Sequence, residues 1–78
     1  MNQKFEGIIR SIGEIPESTV LDETQRFEAD LDVDSLALMD IIVNVEAEFG
    51  IEIEAVHRFA TLGELWQQVE LLSAGAGI

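Results

Sequence analysis

Apolar residues recur at helical spacing in separate stretches of this chain, and that constrains the fold more than any other feature. Phe5, Ile8, Ile9 and Ile12 follow i, i+3, i+4, i+7, the spacing that lays one apolar stripe along a helix. Leu62, Leu65, Trp66, Val69 and Leu72 form a second stripe near the other end. Between them, Leu36 to Phe49 is apolar over a helix's length. Ile51-Glu52-Ile53 alternates like a strand. So short a stretch builds no sheet alone, and it reads as an extended connection with both isoleucines turned inward. The expected fold is all-α: a small four-helix bundle of three main helices plus a short third helix within residues 54–59, with a long loop between helices one and two.

Capping chemistry sets the expected ends. Gly13 permits a left-handed cap and Pro16 forbids continuation, so the first helix stops there. The second runs from Ser35 to Phe49, with Asp34 as N-cap and Gly50 as the stop. Thr61-Leu62-Gly63-Glu64 fits a capping box that starts the last helix. Residues 15–34 form a connection long enough to need anchoring, and Val20, Leu21, Phe27 and Leu31 are its available pins. At about 100° per residue, Leu38, Met39, Ile42, Val45 and Phe49 share one side of the second helix and are expected in the core. Leu36, Asp40, Val43, Asn44 and Ala47 share another side, with Ala37 at its edge. Either the loop covers that side or it is a docking surface. Trp66 reads as core, and residues 75–78 as a flexible tail on a domain of residues 1–74.

Composition narrows the function classes. Seventy-eight residues make one domain, and 47% hydrophobic content suffices for a core. Without cysteine, neither disulfides nor zinc thiolates are available. Sixteen acids against four bases give a net charge of −12, which repels nucleic acid and anionic membranes and attracts basic protein surfaces. No stretch has the length of a membrane span or a signal-peptide core. The expectation is a cytoplasmic, free-standing monomer.

Ser35, opening the second helix after Asp30-Leu31-Asp32-Val33-Asp34, is the one position that invites chemistry. As a hydrolytic nucleophile it lacks a G-x-S-x-G elbow, and His57 is the only histidine. It reads as a serine that is modified, in a protein that is not an enzyme. Asp30, Asp32 and Asp34 open like a calcium loop, but Ser35 and Ile41 stand where that motif needs glycine and glutamate, so no metal site is expected. His57 and Arg58 lie near the short third helix, as surface residues or partner contacts.

Three blocks carry a resemblance: Phe27-x-x-Asp30-Leu31-x-x-Asp34-Ser35-Leu36, then Glu46-x-Glu48-Phe49-Gly50-Ile51-Glu52-Ile53, then Thr61-Leu62-Gly63-Glu64-Leu65. In that order and spacing, on an acidic helical chain, they resemble the acyl carrier proteins. The resemblance implies that Ser35 carries 4′-phosphopantetheine, placed from coenzyme A by a magnesium-dependent phosphopantetheinyl transferase. It further implies acyl intermediates held as thioesters and delivered to ketosynthase-, acyltransferase- or ligase-type partners of fatty-acid or polyketide-like biosynthesis, through basic docking patches.

By the same resemblance, partner recognition falls to Asp34, Leu36, Ala37, Asp40, Val43, Asn44, Ala47, Glu48, His57 and Arg58. The chain departs from the usual pattern at several of these. Ala37 stands where an acid is frequent, which also removes the capping-box partner of Asp34, and Asp32 replaces a common glycine. Acids along the docking face thin to Asp40 and Glu48. A narrower partner set in a specialised pathway is the expectation. A peptidyl or aminoacyl carrier and an acidic helical adaptor without the cofactor are the alternatives.

Overall fold

The computed structural model describes residues 1–54 and 59–76. Within them the chain forms three helices: α1 (Gln3–Gly13), α2 (Ser35–Phe49) and α3 (Leu62–Ala76). The short third helix expected within 54–59 falls on residues 55–58, which lie outside the described residues, as do His57 and Arg58. Among the described residues there is no strand, only an isolated antiparallel bridge between Arg26 and Thr61. The all-helical expectation holds.

The stripes read from the sequence meet in one core. Phe5 and Ile9 from α1, Ile41 and Val45 from α2, and Leu62, Leu65 and Val69 from α3 are essentially sealed from solvent. Trp66 is half-buried and joins the three helices through its rings, 4.9 Å from Phe5 and 6.4 Å from Phe49 between centroids. Tilted and edge-on arrangements of this kind add about 0.5–1.5 kcal/mol beyond area burial.

α1 starts at Asn2, whose Oδ1 accepts the N–H groups of Lys4 at 2.7 Å and Phe5 at 3.4 Å. Its end corrects the sequence reading. Gly13 stays helical, and the left-handed residue is Glu14, at φ 54°. A Cβ on Gly13 would lie 3.1 Å from Val33 Cγ2 and 3.2 Å from Ile15 Cδ1, so that glycine serves packing rather than the turn. The N–H groups of Glu14 and Ile15 both reach the carbonyl of Arg10, which closes the helix in a Schellman-like end.

The loop over residues 15–34 is fastened by backbone and side chain together. Phe27 and Leu31 are buried as expected, Leu21 is half-buried, and Ile15 and Val33 join them. Val20 does not serve as a pin; it is 78% exposed, and its carbonyl instead accepts from Gln25 Nε2 at 3.0 Å. Asp22 Oδ1 accepts from both the hydroxyl and the N–H of Thr24. Those two bonds, the hydroxyl's first, hold the Asp22 carboxyl below its ordinary value of 3.8.

Two backbone bonds flank the Arg26–Thr61 bridge: Phe27 N–H to the Ala60 carbonyl at 3.2 Å, and Leu62 N–H to that of Gln25 at 2.9 Å. They clamp the loop to the start of α3. After α2, Glu46 holds the exit, its Oε2 accepting from Ile53 N–H at 2.7 Å and its carbonyl from Ile51 N–H at 3.1 Å. Ile51 and Ile53 are thereby turned inward and buried, as their alternation indicated.

Candidate functional site

α2 begins where the sequence placed it. Asp34 lies in an extended conformation and its Oδ1 accepts from Ala37 N–H at 2.8 Å. Gly50, at φ 63°, closes the other end. With alanine at position 37 no side chain returns a bond to Asp34, so the cap is half of a capping box.

Ser35 is the first helical residue and its side chain faces solvent. Helix geometry leaves the first N–H groups without intrahelical acceptors. Here Asp34 takes those of Ala37 and Leu38, which leaves the N–H groups of Ser35 and Leu36 without an acceptor among the described residues. An exposed hydroxyl beside two free donors at the positive end of a helix suits an anion on Ser35 Oγ, an effect of about 0.3–1 kcal/mol.

Beside the serine lies a concavity of about 340 Å³, walled by Arg26, Phe27, Ala29 and Val33 of the loop, by Leu38 of α2, and by Phe59 and Ala60 before α3. A second concavity of about 350 Å³ follows the α1–α2 seam past Gly7, Ile8 and Asn44. Volume does not distinguish the two, but Ser35 lines the first. A phosphodiester on Ser35 with a slender chain leading away from it fits these residues.

The remaining α2 positions sort into a face that differs in part from expectation. Leu36 is 76% and Val43 61% exposed, so the loop does not cover them. Met39, expected in the core, is 64% exposed and stands with them, while Ile41 takes the core position. Together Leu36, Met39 and Val43 form an apolar stripe only about 60° wide, from the helical period. Asp40, Asn44, Ala47 and Glu48 are exposed and Ala37 is half-buried. Asn44 Nδ2 donates to the Asp40 carbonyl at 2.8 Å, and Glu48 meets Lys4 at 3.5 Å.

Two of the three acids before the serine, Asp30 and Asp34, are spent on backbone. Asp30 Oδ2 accepts from Arg26 N–H at 2.7 Å, as Asp34 does from Ala37. Among the described residues no three acidic or histidine side chains gather to hold a metal ion. The sequence reading passed over Met39 and Arg26 as site residues. Arg26 had one signal, being among only four bases and next to Phe27 in the first matched block.

Comparison with known proteins agrees with this geometry. The family described as phosphopantetheine attachment site matches residues 3–69. The chain belongs to the acyl carrier protein family. An acyl carrier protein of Renibacterium salmoninarum is 43% identical over 54 residues, covering 67% of this chain and 64% of the relative. One from Acidothermus cellulolyticus is 39% identical over 59 residues, with coverage of 73% and 69%. One from Tropheryma whipplei is 36% identical over 76 residues, with coverage of 82% and 88%. The chain thus spans about two thirds of the first two relatives and most of the third. No solved structure matches significantly. The cofactor of this acyl carrier domain is 4′-phosphopantetheine.

Proposed function

We propose that Ser35 is the attachment residue and that the protein is a carrier rather than a catalyst, delivering acyl groups to partner enzymes of a specialised biosynthetic pathway. The observation that carries this reading is the exposed Ser35 hydroxyl at the first position of α2, beside two backbone N–H groups without acceptors among the described residues. When bound, the arm supplies a thiol that holds acyl groups as thioesters. The chain itself anchors that arm through Ser35 Oγ, orients its phosphate with the start of α2, and raises the local concentration of the cargo at a docked partner.

The docking face supports a narrow partner set. Lys4 engages Glu48, so Asp40 is the main unengaged acid on the exposed side of α2. Leu36, Met39 and Val43 offer apolar contact instead. Recognition then depends on shape and burial as much as on a partner's basic residues.

The test is an intact-protein mass spectrum after incubation with coenzyme A, magnesium and a broad-specificity phosphopantetheinyl transferase, beside Ser35→Ala. Wild type should gain one phosphopantetheine and the variant none, with both giving the same circular dichroism spectrum. A gain that persists in Ser35→Ala would move the attachment elsewhere. No gain in either, even with the source organism's transferase, would leave an adaptor without an arm.

A further inference from the structure

Resting on the assignment of the arm to Ser35, we propose that Arg26 is the cationic partner for it, its guanidinium pairing with the phosphodiester on Ser35 Oγ. Sixteen acids surround only four bases in this chain. Two of the described bases are committed: Lys4 pairs with Glu48 at 3.5 Å, and Arg10 Nη1 donates to the Pro16 carbonyl at 2.6 Å. Arg26 differs. Its backbone N–H is taken by Asp30 Oδ2 at 2.7 Å, yet its guanidinium meets no carboxylate or carbonyl among the described residues. In so acidic a molecule an uncommitted guanidinium is an exception that its position accounts for.

Arg26 and Ser35 line the same concavity. The bridge to Thr61 and the bond from Phe27 N–H to the Ala60 carbonyl fix the Arg26 backbone, so its side chain has a defined rim from which to reach. Glu28 and Asp34 also line that concavity. Attaching a phosphodiester there adds negative charge to a site that already holds two carboxylates, and among the described residues Arg26 is the cation that lines it. The free N–H groups of Ser35 and Leu36 serve one side of the phosphate. A planar guanidinium fork suits its outer oxygens better than an ammonium would. The pairing draws the first segment of the arm over the concavity and away from the Leu36–Met39–Val43 stripe, which stays open for a partner.

The experiment compares holo wild type, Arg26→Gln and Arg26→Lys, each first shown by mass to be fully modified and by circular dichroism to be folded. The ³¹P resonance of the phosphodiester and the Arg26 Nε–H resonance are then followed from low to high NaCl. The expected result is a wild-type ³¹P shift distinct from Arg26→Gln at low salt and converging on it as salt screens the pair, with Arg26→Lys in between. The Arg26 Nε–H signal should also move between apo and holo forms. Identical ³¹P shifts in fully modified wild type and Arg26→Gln, with an unmoved Nε–H, would overturn the pairing while leaving Ser35 as the attachment site. Absence of modification at Ser35 would remove both.

Discussion

Asp32 holds a backbone shape that most side chains resist, with φ 54° immediately before the serine motif. Left-handed geometry crowds Cβ against the carbonyl and costs an ordinary residue about 1–2 kcal/mol, with asparagine and aspartate the most tolerant after glycine. Aspartate is thus one of the few side chains that this turn accepts without a large penalty. The turn matters because it lets Val33 drop into the core while Asp34 and Ser35 stay outside. If backbone shape rather than charge is what Asp32 supplies, Asp32→Asn should leave stability within about 0.5 kcal/mol and Asp32→Val should cost about 1–2 kcal/mol. Urea denaturation of the three proteins decides it. Equal losses in both variants would mean that the carboxylate, not the turn, is what the fold requires.

At the scale of elements, two helical glycines carry opposite expectations. A Cβ on Gly7, in the middle of α1, would meet nothing within 4 Å, so Gly7→Ala should stabilise by about 0.5–1 kcal/mol through helix propensity. A Cβ on Gly63 would sit 2.8 Å from both the Cβ and the backbone oxygen of Glu23. Gly63 N–H also donates to that oxygen at 2.9 Å. Gly63→Ala must therefore push the loop off the start of α3, at a cost of about 1–3 kcal/mol. Chemical denaturation measures both, and amide shifts at residues 23–27 should change only for Gly63→Ala. A stabilised Gly63→Ala would show that the loop is not clamped there.

The same elements show how far the sequence reached. The ends of α2 were legible because Asp34 and Gly50 are local signals, and Thr61-x-x-Glu64 marked the start of α3. Even there the detail differed: Thr61 Oγ1 accepts from Glu64 N–H as expected, but the bridge holds Thr61 extended and Glu64 Oε2 reaches past it to Ala60 N–H at 3.2 Å. The inward face of α2 is harder to read because the helix is apolar around most of its circumference, so periodicity alone put Met39 in the core and gave Ile41 no place there. Packing of α1 and α3 on one side settled that, and the same rotation produced the exposed stripe beside Ser35. Gly13 and Val20 were misread for a related reason, since their surroundings are set by residues distant in the chain.

For the whole molecule, charge is the dominant unsatisfied feature. The net charge is −12, and the one ion pair among the described residues, Lys4–Glu48, is exposed at both ends and of the kind worth about 0–1 kcal/mol. The apolar core must therefore hold the chain together against its own repulsion. Unfolding relieves that repulsion by spreading the charges, so screening should favour the folded state. At 0.15 M ionic strength the screening length is about 8 Å, shorter than the distance across the domain, whose least extent is 20 Å. Raising NaCl from about 10 mM to 150 mM should therefore weaken most long-range pairs and raise Tm by a few degrees, given that about 1 kcal/mol moves Tm by ~4–8 °C in a domain of this size. Thermal unfolding followed by circular dichroism at fixed pH tests this. Most of the rise should be complete by physiological salt, because a screening effect saturates while salting-out of apolar surface continues to grow. A flat Tm over that range would mean that the acidic field weighs little on the fold, and that its main consequence lies outside the molecule, at the basic surfaces it meets.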